Sequence, residues 1–308
     1  MGFEIVLNPA GASGLAWRTW RRLERVITKA GCAYTVHRST PEHGVTEICR
    51  ELTSRGEPVS LIVIGGDGTS NEALNGIADF DNTAVGFIPC GTGNDLHRDM
   101  GIPKSTVKLL KTMLDGTVKR TADIGELKCI ANGKRIVRRF NISCDIGFGA
   151  ATCAYVNRSR IKPVLNKLGI GRVIYLIEAL RVCFTSEPQP VTVTCGGRTR
   201  LYRRCLCVIA MNHCHEGGGF DFCPNARFDD GNLDLCIGNG LSHGGFLHML
   251  PLAYMGRHMK LRGIFGDRGE FVKLRTNKPI WIHTDGEALG KTTSAEIRVI
   301  GEKLRLLF

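Results

Sequence analysis

The segment Gly65–Gly76, GGDGTSNEALNG, constrains the fold more than any other, because it follows directly on the apolar run Leu61–Ile64. An Ile- and Val-rich run that ends in consecutive glycines and enters a helix-compatible stretch reads as a buried parallel strand, a tight turn and a helix. Glycines at such a turn let backbone N–H groups approach a polyphosphate, and the helix N-terminus adds a field favourable to anions. Asp67 sets a carboxylate in that cradle. A carboxylate beside phosphate is repulsive unless a hard cation such as Mg²⁺ lies between them. Taken alone, GGDG is explained equally well by a glycine turn with an aspartate cap.

Two further segments repeat the pattern. Phe87–Leu96, FIPCGTGNDL, is a short apolar strand, then Gly91 and Gly93 around Thr92, then an Asn94–Asp95 pair able to cap a helix. Asn8–Gly14, NPAGASG, follows the opening strand Phe3–Leu7. Glycine turns at the carboxyl ends of neighbouring strands face one crevice, where open α/β sheets bind nucleotides. Together the three describe a phosphate-binding crevice.

The chain changes texture near Asp123. Before it, short apolar strands alternate with helical stretches at Trp17–Ala30, Thr46–Arg55, Thr69–Ile77 and Ser105–Leu114, the signature of a parallel sheet with helices on both faces. After it come strand-like runs at Ile124–Ile130, Ile136–Ser143, Val191–Cys195, Arg198–Asn212, Asn232–Ile237, Glu270–Arg275, Pro279–Thr284 and Ala295–Val299. Only Val164–Phe184 and Gly244–Arg257 read as helices there. The expected architecture is an α/β nucleotide-binding domain over residues 1–124 and a predominantly antiparallel β-sandwich over residues 125–308. A length of 308 residues suits two domains of about 150 each.

These segments, with TDGEALG at Thr284–Gly290, resemble the diacylglycerol kinase catalytic family of lipid kinases, most closely its soluble bacterial members. The family pattern runs NP-x-S-G, GGDGT-x-NE, P-x-GT-x-ND and, near the C-terminus, DGE; all four stand here in order across nearly the whole chain. The first turn departs from it, because Leu15–Ala16 replaces a frequent lysine, with Arg18 or Arg21 as substitutes. The resemblance implies a nucleotide-contact set of Asn8, Thr40, Gly65, Gly66, Asp67, Gly68, Thr69, Asn71, Glu72, Gly91, Thr92, Gly93, Asn94, Asp95 and Asp123. It also implies ATP and Mg²⁺ as cofactors, with Asp67, Asp95 and Asp123 in a Mg²⁺–water network. Read from the residues alone, Asp95 is equally a helix cap and Asp123 a junction turn.

Phosphoryl transfer to a hydroxyl asks for a positioned base. Asp285–Gly286–Glu287 follows the strand Pro279–Thr284, and on composition alone a DG there is a hairpin turn. By resemblance this DGE carries the base, on Asp285 or Glu287. A second acidic string, RFDDGNLD at Arg227–Asp234, is equally a β-turn or a hard-cation site. Relatives of the soluble bacterial kind hold a structural Mg²⁺ there, which transfers to Asp230 with the carbonyls of Arg227 and Asn232. Gly147–Ala151, GFGAA, lacks the βαβ context of a dinucleotide fingerprint and reads as a glycine corner. His213, Cys214, His215 and Cys223 match no usual zinc spacing. The Gly217–Gly219 run suggests a mobile loop at a cleft rim.

Composition sets the remaining expectations. The 13 cysteines lack framework spacing, and no N-terminal signal segment is visible, which fits reduced thiols in a cytoplasm-like compartment. No apolar run reaches the ~18 residues of a membrane span. The formal charge of +12, without a nucleic-acid motif, points to an anionic membrane surface rather than nucleic acid. The expectation is therefore an ATP- and Mg²⁺-dependent kinase for diacylglycerol or a related lipid, docked peripherally on the inner face of the membrane, with a homodimer left open. The alternatives are an NAD kinase-like enzyme with a soluble acceptor, although no TPTGSTAY-like segment occurs, and an inactive lipid-binding relative.

Overall fold

The computed structural model describes residues 2–91, 93–159 and 173–308, without the side chains of residues 12 and 13. Thr92 and residues 164–172 of the helix expected over Val164–Phe184 lie outside the described residues. The chain forms two compact units, Met1–Ile124 with Ile300–Phe308, and Gly125–Val299.

The first unit runs β1 (Gly2–Leu7), α1 (Leu15–Lys29), β2 (Ala33–Arg38), α2 (Val45–Thr53), β3 (Val59–Gly65), α3 (Asp67–Gly76), β4 (Thr83–Pro89), α4 (Asp95–Asp99) and α5 (Thr106–Met113). β1 pairs in parallel with β2 and β3, and β3 with β4. Strands covered on both faces carry continuous apolar runs, and Ile5, Val6, Leu7, Leu61, Ile62, Val63 and Ile64 are accordingly buried. α1 buries Ala16, Trp20, Leu23 and Ile27, spaced four, three and four residues apart on one face. Helix and sheet approach closely where β4 carries no side chain: a Cβ at Gly86 would lie 2.6 Å from Met113 Sδ of α5.

The second unit holds most of β5 (Arg120–Ala131), then β6 (Lys134–Phe140), β7 (Ser143–Gly147), α6 (Phe148–Arg158), α7 (Val173–Thr185), β8 (Gln189–Cys195), β9 (Arg198–Met211), β10 (His215–Glu216), β11 (Phe220–Asp221), β12 (Leu233–Asn239), α8 (His243–Tyr254), β13 (Ile264–Gly269), β14 (Phe271–Thr284) and the larger part of β15 (Glu287–Leu306). The described strand pairings here are antiparallel. β9 pairs with β8 along Arg198–Cys205 and with β7 along Cys207–Met211. β14 makes the same exchange, with β8 near Val272–Thr276 and with β7 near Ile282–Thr284. Two long strands thus turn the corners of a sandwich, which encloses Phe140, Ile146, Val193, Val208, Leu235 and Ile282. Glu270–Arg275 and Pro279–Thr284, expected as separate strands, belong to one strand whose register shifts between Arg275 and Ile280. α6 was not expected. Its start, Phe148–Gly149–Ala150–Ala151, looks like a corner because two glycines precede any helical periodicity.

The division of the chain also differs from the expected boundary, because Ile300–Phe308 belongs with the first unit. Arg305 and Leu306 pair in parallel with Ala84 and Val85 of β4, and Leu307 N–H donates to the Val85 carbonyl at 3.0 Å. Leu304, Leu306, Leu307 and Phe308 are buried. Leu306→Ala should therefore cost about 2–5 kcal/mol, the usual range for a leucine removed from a packed core. Urea unfolding followed by intrinsic fluorescence would measure the change; an unchanged midpoint would remove this segment from the core.

Candidate functional site

In the first unit the glycine turns after β3 and β4 abut. A Cβ on Gly91 would lie 3.2 Å from Gly66 Cα, and Cys90 N–H donates to the Gly65 carbonyl at 2.7 Å. Backbones approach this closely only without side chains. At Gly65 a Cβ would overlap the Thr69 side chain at 2.4 Å. α3 begins directly at Asp67, and its N-cap residue Gly66 brings no side chain to its first N–H groups, the kind of helix start that suits an anion. Among the described residues, nothing lies within 4 Å of a Cβ built on Gly68.

The same turns bring two of the predicted acids together. A Cβ on Gly93 would lie 2.8 Å from Asp67 Oδ2 and 3.8 Å from Asp95 Oδ2, so the two carboxylates flank one glycine. Asn94 N–H donates to Asp67 Oδ2 at 3.0 Å, and Asp95 pairs with Arg98 at 3.7 Å. Asn94 Oδ1 is buried without a hydrogen-bond partner. Two carboxylates and an unsatisfied amide oxygen are hard donors of the kind Mg²⁺ prefers, and they fit such a cation. Asp123 is buried on β5, where Lys303 of β15 bonds to its carboxylate. Lys303 is a residue the sequence did not reveal, since its partner lies 180 positions away.

Other members of the predicted nucleotide set hold the frame. The Asn8 carbonyl accepts the Gly11 N–H at 3.0 Å, and the Thr40 hydroxyl accepts the His43 N–H at 3.1 Å. Asn71 is buried in α3, where its carbonyl accepts the Asn75 amide at 2.9 Å. The Glu72 carbonyl accepts the Thr46 hydroxyl at 3.0 Å. Of the substitutes named for the missing lysine, Arg21 lies 6.0 Å from the Trp17 ring centre.

In the second unit, Asp285 and Gly286 form the turn between β14 and β15, at φ values of 46° and 79°. Both positions lie in the left-handed region, as a two-residue hairpin turn demands, and Asp-Gly is suited to it. The Asp285 carboxylate is held by backbone donors: Asn141 N–H to Oδ2 at 2.9 Å, and Ile142 and Ser143 N–H to Oδ1 at 2.8 and 3.0 Å. Glu287 extends outward, its side chain 54% exposed and paired with Arg138 at 2.5 Å. The two DGE acids thus have different settings, one fixed against the sandwich and one open to solvent.

Behind this turn lies a buried group the sequence analysis missed. His283 Nε2 is 3.3 Å from Glu216 Oε1 and 3.5 Å from Asp145 Oδ2. Ser143 Oγ donates to Glu216 Oε1 at 2.5 Å, and Ala150 N–H to Asp145 Oδ2 at 2.9 Å. Burial pushes Glu216 up to about 7 and also raises Asp145. For His283, burial acts downward, but the charges of Glu216 and Asp145 prevail and raise it to about 9. Gly149 makes room for the group, because a Cβ there would lie 2.0 Å from Asp145 Oδ2. The available signal was an aspartate inside the otherwise apolar strand Ser143–Gly147, a residue type that a buried strand carries only when partnered.

The second acidic string is arranged differently from a cation cage. Arg268 of β13 bonds to Asp230 Oδ2 and lies 3.6 Å from Asp234, while Asp230 Oδ1 accepts the Asn232 N–H at 3.1 Å. Arg227 turns its side chain to Asp229 at 3.3 Å. Arg268 thus already pairs with the carboxylate that the predicted site of Asp230 and the carbonyls of Arg227 and Asn232 would use. Among the described residues, no group of three or more His, Cys, Asp or Glu side chains is arranged to hold a metal ion, His213, Cys214, His215 and Cys223 included.

Comparison with known proteins accords with this geometry. Residues 3–127 match the diacylglycerol kinase catalytic domain family, and residues 143–308 match the YegS C-terminal NAD kinase beta sandwich-like domain. The chain belongs to the diacylglycerol kinase catalytic family, and so to a family of lipid kinases. It is similar to a diacylglycerol kinase of Bacillus subtilis (strain 168), with 28% identity over 92% of this chain and 89% of that one. A diacylglycerol kinase of Mycobacterium tuberculosis (strain H37Rv) is 27% identical over 80% of this chain and 76% of its own. The fold is shared with a crystal structure of a diacylglycerol kinase from Bacillus anthracis str. Sterne, at a TM-score of 0.71 and 22% identity, covering 100% of this chain and 96% of that one.

The Asp123–Lys303 pair yields a stability test. A buried carboxylate that loses its cation is destabilised by roughly 3–5 kcal/mol, and partial exposure of the lysine end lowers the expectation for Lys303→Met to about 2 kcal/mol. Adding Asp123→Asn should restore part of the loss, because the uncompensated charge then disappears. Purely additive losses in urea unfolding would show that the pair is uncoupled.

Proposed function

We propose that this protein is an ATP- and Mg²⁺-dependent lipid kinase that transfers the γ-phosphoryl group to a hydroxyl of diacylglycerol or a related lipid. The observation that carries this reading is the flanking of Gly93 by the Asp67 and Asp95 carboxylates, beside the uncapped start of α3. Backbone N–H groups there suit phosphate oxygens. A hard cation held by Asp67, Asp95 and Asn94 would offset the charge of acids and phosphates together. Asp123, the third acid of the proposed set, is paired with Lys303.

In the acceptor half-reaction, the DGE turn takes the proton of the lipid hydroxyl as its oxygen bonds to the γ-phosphorus and the bond to the ADP oxygen breaks. Both oxygens of Asp285 already accept backbone N–H bonds, and Glu287 presents the more open carboxylate. The pair is read as one site. Asp285→Asn and Glu287→Gln keep size and hydrogen bonding but remove charge. At least one should lower turnover about 10²-fold or more while ATP–Mg²⁺ affinity, measured by calorimetry, stays unchanged. Turnover near wild type in both would reduce the DGE turn to a plain hairpin. Gly66→Val, which crowds the Gly66–Gly91 contact, should instead weaken ATP binding.

A lipid acceptor requires docking on a bilayer, and no described helix is long and apolar enough to cross one. Two features support peripheral docking: the formal charge of +12, and α7, whose Val173, Tyr175, Leu176, Ile177, Leu180 and Phe184 are exposed. Each Lys or Arg near an anionic surface contributes roughly 1 kcal/mol, and the screening length shrinks from about 8 Å at 0.15 M salt to about 3 Å at 1 M. The protein should sediment with vesicles containing anionic phospholipid and be released by salt, and Leu176→Ser with Phe184→Ser should weaken the salt-resistant part. Equal sedimentation with neutral vesicles would remove the electrostatic component.

A further inference from the structure

Asp145, Glu216 and His283 take no part in the phosphoryl transfer described above, yet the group meets the DGE turn through His283. Gly286 N–H donates to His283 Nδ1 at 3.2 Å. A ring nitrogen accepts only while it carries no proton, so the geometry assigns the ring's single proton to Nε2. That nitrogen faces the two acids, Glu216 at 3.3 Å and Asp145 at 3.5 Å. The arrangement is that of a histidine whose tautomer and orientation are set by carboxylates behind it. Ser143 links both ends of the device. Its hydroxyl donates to Glu216 and its N–H to Asp285.

We propose that Asp145, Glu216 and His283 are positioning residues for the Asp285–Glu287 turn, the acids holding the His283 proton on Nε2 so that Nδ1 can hold the Gly286 amide. The proposal rests on the reading of Asp285 and Glu287 as the catalytic pair. A second proton on the ring sets an N–H donor against the Gly286 N–H donor and releases that side of the turn.

The charges that face His283 come from β7 (Asp145), β10 (Glu216) and the turn itself (Asp285). The nearby thiols of Cys144 and Cys207 are held neutral by burial. The acids favour the second proton, so His283 takes it up above its ordinary 6.5, at about 9 with both acids charged. As Glu216 gains its own proton near 7, part of that drive disappears. Proton uptake belongs to the cluster and not to one residue. The hold on Gly286 is therefore strongest at high pH and is lost as pH falls through the cluster's range.

Three variants separate this role from simple packing. His283→Asn offers an amide oxygen to Gly286 but cannot take up a proton, His283→Leu offers no acceptor, and Glu216→Gln removes a charge that draws the second proton. Turnover with ATP–Mg²⁺ and diacylglycerol in mixed micelles is followed over roughly pH 6 to 9.5, alongside imidazole ¹⁵N spectra that read each ring nitrogen without any acceptor lipid. The spectra should show Nδ1 unprotonated at high pH and protonated as pH falls, in a signal that His283→Asn removes. Wild-type kcat should fall on the acid side. His283→Leu should lose about tenfold or more in kcat with KM for ATP unchanged, as expected of a misplaced group. His283→Asn should recover most of that loss and flatten the acid limb, and Glu216→Gln should shift the limb to lower pH.

Wild-type kcat in folded His283→Leu would overturn the proposal. So would a protonated Nδ1 across the range, or wild-type pH profiles in both His283→Asn and Glu216→Gln. Should His283→Leu fail to fold, the spectra and the other two profiles decide. Asp285→Asn and Glu287→Gln measured in parallel distinguish the two failures. If both keep wild-type turnover, the catalytic reading of the turn falls; if either loses it while folded His283→Leu does not, only the positioning role falls.

Discussion

The first unit is organised by a contact between two backbones. The turns that leave β3 and β4 meet at Gly66 and Gly91, where even a methyl group on Gly91 would lie 3.2 Å from the facing Cα. Because these turns abut, Asp67 and Asp95 flank the same residue, and the uncapped start of α3 opens beside them. Like-charged groups placed so close are costly unless something positive comes between them. Lys303 supplies that charge for Asp123. Beside Asp95 the positive group is Arg98, and Asp67 accepts the Asn94 N–H.

The second unit places charge by a different device. Its strands bury acids and a histidine against each other and let backbone amides fix the one carboxylate in the hairpin turn. Of the carboxylates of RFDDGNLD, Asp230 and Asp234 are likewise settled inside the chain by Arg268, and Asp229 pairs with Arg227. Arginine is a permanently charged, planar partner for these carboxylates.

Local periodicity and turn chemistry carried much of this into the sequence. The glycine turns, the helical face of Ala16, Trp20, Leu23 and Ile27, and the Asp285–Gly286 hairpin could be read because neighbouring residues specify them. Pairings between distant residues could not. Nothing near Asp123 announces Lys303, nothing near Asp230 announces Arg268, and the His283 group draws on β7, β10 and β14 at once. α6 escaped for a local reason, since glycines and alanines at its start give no apolar stripe. The strand break expected between Arg275 and Pro279 is a register shift within a single strand, a distinction only the partner strands reveal.

The return of Ile300–Phe308 to β4 bears on how the molecule is made. Arg305 meets Asp81 across 224 positions of chain, and the segment between them includes the whole second unit. During vectorial synthesis the first 124 residues emerge with the β4 edge of their sheet unpaired, and it stays so until Arg305 and Leu306 have emerged. Domains ordinarily fold in order as they appear; here the earlier unit is completed last. An open β4 edge in the nascent chain is a template for wrong strand partners until the Ile300–Phe308 segment pairs with it.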